Sequence, residues 1–120
     1  MQLRLNKPWE ELTPDAVSHA TAALGVFQIA DPEGRVVYIG YAGGKAPFGL
    51  RGRLGEELKR RGAGHRFRLE VNMQYLTRWQ ELLMLHQADH GALPPGNAED
   101  RPRRLGRLGP WNAGLGPKET

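Results

Sequence analysis

The stretch "GVFQIADPEGRVVYIG", Gly25 to Gly40, constrains the chain more than any other. Two runs rich in Val, Ile and aromatics flank "DPEGR", which puts Pro32 and Gly34 in turn positions. The pattern predicts a hairpin with antiparallel arms "GVFQIA" and "RVVYIGYA".

Helix signals surround the hairpin. In "LTPDAVSHA", Thr13 suits a cap, Pro14 the first helical position and Asp15 the positive end of the helix dipole. After the glycine-rich loop "GGKAPFG", the run "LRGRLGEELKRRG" has a helical period, with Leu50, Leu54 and Leu58 as one stripe. Glu56 with Arg60 and Glu57 with Arg61 are favourable i,i+4 pairs, and Gly62 and Gly64 stop the helix. Gly52 and Gly55 fall away from the leucine stripe. They read either as room for a ligand backbone or as tolerated glycines, each at about 1 kcal/mol against alanine.

"HRFRLEVNM" alternates Phe67, Leu69, Val71 and Met73 with polar residues and predicts a third strand. "YLTRWQELLMLHQADHG" predicts a second long helix, with Thr77 as candidate cap and Gly91 as stop. From Ala92 the chain is rich in Pro and Gly without a period. The expected organisation is one α+β domain over 1–109, with an N-terminal helix and a small three-stranded antiparallel sheet flanked by helices. Residues 110–120 are expected to form a flexible tail.

The chain has 120 residues, which suits one domain, and no cysteine, which excludes disulfides and thiolate metal sites. "MQLRLNKPWEELTPD" lacks the apolar run of a signal peptide, and no segment approaches a membrane span. A cytoplasmic protein with no membrane partner is expected. The formal net charge is +4, and the cations are mostly arginine: only Lys7, Lys45, Lys59 and Lys118 are lysines. One cluster runs Arg51, Arg53, Lys59, Arg60, Arg61, Arg66, Arg68; another runs Arg101, Arg103, Arg104, Arg107. Arginine's planar fork matches phosphate oxygens, so a nucleic acid is a natural partner; a solvated basic face is the alternative.

Three familiar motifs fail. "AGGKA" is not a P-loop, because Ile39 and Ala46 stand where a glycine and a Ser or Thr are required. "GLRGRLG" lacks the G-x-G step of a dinucleotide fingerprint. His86 and His90 stand at i,i+4, but on the helical face of Leu76, Trp79 and Leu83, the expected core face, which predicts packed or hydrogen-bonded structural histidines rather than metal ligands.

A fourth pattern holds. "GVF", ten residues, then "YIG" resembles the opening signature of the GIY-YIG nuclease family. That signature continues with an arginine on the next helix, a glutamate on a later helix and an asparagine beyond it. "LRGRL" offers Arg53, with Arg51 as alternative; "RWQELLMLH" offers Glu81; "LPPGN" offers Asn97. The resemblance spans Gly25 to Asn97 and implies a small domain with a three-stranded antiparallel sheet that hydrolyses phosphodiesters with one divalent metal.

It further implies that Tyr38 orients or deprotonates the attacking water, that Arg53 contacts the phosphate and that Asn97 braces the site. Glu81, a hard oxygen ligand, is then expected to hold Mg²⁺ (or Mn²⁺); the small residues Thr77 and Ala88 beside it suggest an open cleft. Without the resemblance the same residues read as a core aromatic, a surface charge paired with Glu57, a solvated carboxylate and a turn residue after Pro94, Pro95 and Gly96.

Two departures are visible. Phe27 stands where the family usually has tyrosine, which removes a hydroxyl from the expected site and weakens or abolishes cleavage. Tyr41 follows "YIG" where repair-type members tend to carry lysine, and keeps a hydroxyl close to that place. The loop "GYAGGKAPFGLRG" carries Lys45 toward a nucleic acid, and Arg51, Lys59 and Arg60 are the other expected contacts. The first expectation is thus a metal-dependent DNA endonuclease, monomeric or weakly dimeric, with RNA as a possible substrate. The alternatives are a binding module that has lost catalysis and a partner-recruiting domain anchored through Trp111.

Overall fold

The computed structural model describes residues 4–62 and 64–98. They form an α+β domain with the order β1 (Glu10–Glu11), α1 (Pro14–Ser18), β2 (Gly25–Ala30), β3 (Val36–Ala42), α2 (Gly49–Arg61), β4 (Arg66–Val71) and α3 (Tyr75–His90). A 3-10 turn, Pro95–Asn97, follows. The four strands make one antiparallel sheet in the order β1-β4-β2-β3. The tail after Pro110, Trp111 and the second arginine cluster lie outside the described residues. No helix among the described residues is long and apolar enough to cross a membrane.

The hairpin forms as its turn chemistry dictates. Asp31 Oδ1 accepts the Glu33 and Arg35 N–H groups at 3.0 and 2.9 Å, and Gly34 takes the left-handed φ of 90° that the turn needs. Every residue of β2 is buried, because β3 and β4 flank it and helices cover both faces. Phe27 and Ile29 pack with Leu50, Leu54 and Phe67 under α1 and α2. Val26 and Ile39 pack with Leu82 and Leu83 of α3 on the opposite face. Thr13 caps α1, its Oγ1 accepting the Ala16 N–H at 3.1 Å.

The sheet has a fourth strand beyond the three expected. β1 is two exposed glutamates, which carry no strand signal; backbone pairing with Phe67 and Arg66 alone makes it a strand. Thr77 is not a cap: α3 begins at Tyr75 with Gln74 before it, and Thr77 lies in its first turn. The alternation of β4 fades toward its end. Val71 is 55% exposed opposite Gly25, and Met73 is 73% exposed beyond the strand. Gly52 does serve close packing, since a Cβ there would collide with the Pro47 carbonyl of the preceding loop. Gly55 has no such constraint, its nearest neighbour being Val17 Cγ1 at 3.9 Å.

The histidines of α3 are not core residues. His90 is exposed and His86 half-buried, because they end the helix beside the hairpin turn rather than over the sheet. Their rings lie 4.4 Å apart, and His86 Nδ1 is 3.1 Å from the Ala92 carbonyl.

Candidate functional site

The site lies at the β3 edge of the sheet. Ile29 pairs with Tyr38 and Phe27 with Gly40, so Tyr38 shares the α2 face of the sheet with Phe27. Its ring sits 5.8 Å from that of Phe27. Gly40 is required here: a Cβ at this position would stand 2.5 Å from Phe27 Cζ and 2.7 Å from Tyr38 Cε2. The glycine of "YIG" thus lets the two rings meet.

From α2, Arg53 reaches across to the strand. Its Nη2 donates to Tyr38 Oη at 3.1 Å, its Nε to the Tyr41 carbonyl at 3.1 Å, and its Nη1 to Glu56 Oε1 at 2.6 Å. Burial pulls this guanidinium's pKa down, but Tyr38, Glu56 and Glu57 outweigh that and hold it above its ordinary value. A second guanidinium, Arg61, lies 5.3 Å from the centroid of the Tyr38 ring. Tyr38 is therefore flanked by two arginines of the same helix, one at its hydroxyl and one on its ring.

Tyr38 and Arg53 open on a pocket of about 350 Å³ lined also by Tyr41, Gly43, Lys45, Ala46 and Trp79. It wraps the sheet edge, taking Tyr38 and Arg53 from the α2 side and Tyr41 and Trp79 from the α3 side. Lys45 is exposed at its rim, as the loop reading expects. None of the residues lining it is a carboxylate.

Other expected site residues fall elsewhere. Phe27 is fully buried; it underlies Tyr38 and Arg53, whose guanidinium carbon is 5.4 Å from the Phe27 ring centroid. Tyr41 does not replace the hydroxyl lost at Phe27. It pairs with Val26 on the α3 face, packed against Tyr75 at 5.7 Å and Trp79 at 5.0 Å. Asn97 is buried and does not line the pocket; it bonds both the N–H and the carbonyl of Ile39. Arg51 is exposed on the first turn of α2, its Nε donating to the Ala20 carbonyl at 2.9 Å, and it does not line the pocket. Lys59 and Arg60 are exposed on the last turn of α2, with Arg60 3.6 Å from Glu57, and neither lines the pocket.

Glu81 is the largest displacement from expectation. It lies two residues from Trp79, about 200° around the helix. Trp79 faces the pocket, its Nε1 donating to the Ile39 carbonyl at 2.8 Å. Glu81 instead accepts from Arg78 Nη1 at 2.6 Å, and Arg78 also binds Glu70 of β4 through Nε at 3.0 Å. Among the described residues no group of three or more His, Cys, Asp or Glu is placed to hold a metal ion. A divalent cation beside Tyr38 does not fit this donor set, because the carboxylate meant to hold it is turned away and engaged.

Sequence reading missed Trp79 as a pocket wall and Glu57 as a buried carboxylate. Glu57 had a signal: seven residues after Leu50 and three after Leu54, it falls within the leucine stripe.

The fold and pocket define a small α+β domain with an arginine-clamped tyrosine at the edge of an antiparallel sheet. The chain belongs to the DUF7508 family, a domain of unknown function, whose model matches residues 1–89. No curated protein and no solved structure matches it.

Proposed function

We propose that this protein is a GIY-YIG-like domain that binds the phosphodiester backbone of DNA in the Tyr38–Arg53 pocket. The observation that carries the reading is the hydrogen bond from Arg53 to Tyr38 in a pocket that also presents Lys45. Phosphate oxygens accept from guanidinium, ammonium and hydroxyl alike. The carboxylate nearest the open side, Glu56, is more than half exposed, so its ion pair with Arg53 is weak and yields readily to a phosphate. Tyr41 and Trp79 offer aromatic surface for a base beside that phosphate.

The test is fluorescence anisotropy with labelled single-stranded and duplex DNA, and with RNA of the same sequence, over a salt series. Affinity should fall steeply with salt, and Arg53→Ala and Lys45→Ala should each flatten the log–log slope by about 1. Glu81→Ala should leave affinity intact. Equal affinity for wild type and both cation variants would end the reading, and preference for the RNA would move it to that polymer.

Hydrolysis is the second reading, favoured by a Tyr38 hydroxyl already oriented by a cation. Incubation with Mg²⁺ or Mn²⁺ and plasmid, nicked, flapped and branched DNA decides it. Cutting by wild type that Tyr38→Phe loses supports a nuclease; no cutting, or equal cutting, rejects it for those substrates.

A further inference from the structure

Glu57 has a side-chain exposure of 0% on a helix that has ample solvent-facing positions. A carboxylate is stripped of water only at considerable cost, and a well-packed apolar residue in its place is commonly as stable or more so. Its neighbours account for its presence. Arg53 stands four residues before it and Arg61 four residues after, on the same helical side. Glu57 Oε1 accepts from Arg61 Nε at 2.8 Å. Oε2 has no hydrogen-bond partner among the described residues and lies 3.8 Å from Arg53 Nη1 and 3.6 Å from Arg60 Nη1.

We infer that Glu57 is the positioning residue of the pocket: one buried carboxylate holds Arg53 at the hydroxyl of Tyr38 and Arg61 over its ring. Without it the two guanidiniums repel each other, and Arg53 keeps only the exposed Glu56 as an acidic partner. The role concerns the same pocket as the phosphodiester reading and rests on it for its functional meaning.

The test does not need a nucleic acid. NMR of the arginine Nε–Hε groups and of the Tyr38 ring is recorded for wild type and Glu57→Gln. In wild type the Arg53 and Arg61 Nε–Hε protons should be protected from solvent exchange. In Glu57→Gln the Arg61 Nε–Hε should exchange about ten- to a hundredfold faster, as expected for loss of one charge-assisted bond. The Arg53 Nε–Hε, which donates to the Tyr41 carbonyl, should exchange measurably faster as its guanidinium loses the ion pair that holds it in place. The Tyr38 ring signals should shift while the Leu82 and Leu83 methyls on the opposite face stay in place. A merely structural carboxylate would disturb its own leucine neighbours and leave Arg53 and Tyr38 unchanged, which overturns the inference. Unprotected Arg53 and Arg61 in wild type overturn it as well, whatever the variant does. If Glu57→Gln fails to fold, Glu57→Asp, with its carboxylate drawn back, must still loosen Arg53. DNA affinity separates the two proposals: Glu57→Gln should weaken binding in wild type but not in an Arg53→Ala background. Protected arginines in a protein that binds no DNA would refute the phosphodiester reading alone.

Discussion

Asn97 pairs with Ile39 as a neighbouring strand would. Its Oδ1 accepts the Ile39 N–H at 2.7 Å, and its Nδ2 donates to the Ile39 carbonyl at 2.8 Å. β3 is an edge strand, and this side chain closes part of its open side one residue from Tyr38. Asn97→Ala strands a buried N–H, so stability should drop by about 1–3 kcal/mol. Urea titration checks it through a lower midpoint at unchanged slope. A loss below about 0.5 kcal/mol would mean that water or another group takes the place of the amide.

Phe27→Tyr restores the hydroxyl that the resemblance lacks, yet the ring is fully buried and its tip abuts Gly40 and Tyr38. The variant should lose about 1–3 kcal/mol from an unpartnered buried hydroxyl, and should gain no nuclease activity. Thermal denaturation and plasmid nicking read the two halves separately. A stable variant that cuts would instead show room and a partner for that oxygen.

The contrast between Tyr38 and Glu81 marks what the sequence discloses. The hairpin, the Thr13 cap and the leucine stripe were legible because they follow from local periodicity and turn chemistry. Tyr38 and Arg53, on a strand and a helix fifteen residues apart, meet through a 3.1 Å hydrogen bond that local periodicity does not disclose. The facing of Glu81 was not legible, since the roll of α3 on the sheet depends on Leu82, Leu83 and Trp79 finding partners on strands distant in sequence. Once Trp79 takes the Ile39 carbonyl, Glu81 must point away. β1 was invisible for the opposite reason: two glutamates become a strand only because the β4 edge needs partners.

His86 links stability to pH. Burial holds its imidazole below the ordinary value of 6.5; the Ala92 carbonyl opposes this shift and the charge of His90 reinforces it. For a base with a lowered folded pKa, the unfolded chain takes up its proton first. The stabilising contribution of neutral His86 is therefore present above about pH 6.5 and is lost as pH falls below it, until the folded form is protonated too. Unfolding measured from about pH 7.5 down to about pH 5.5 should show a decline that His86→Gln reduces. Parallel curves for the two proteins would rule the linkage out.

Phe48 holds a left-handed backbone, φ 61°, immediately before α2, and its side chain is 72% exposed. That conformation is strained for any residue with a Cβ, by about 1–2 kcal/mol, and an aromatic so exposed recovers little of it by packing. Phe48→Gly removes the strain but adds freedom to the unfolded chain worth about 0.4–1 kcal/mol. The net expectation is stabilisation of about 0.5–1 kcal/mol. Phe48→Ala keeps the Cβ and should change little, which separates backbone strain from loss of the ring. Chemical denaturation of the three proteins decides it. If the glycine variant is the least stable, the ring contributes packing that outweighs the strain, and Phe48 belongs to the fold rather than to the loop.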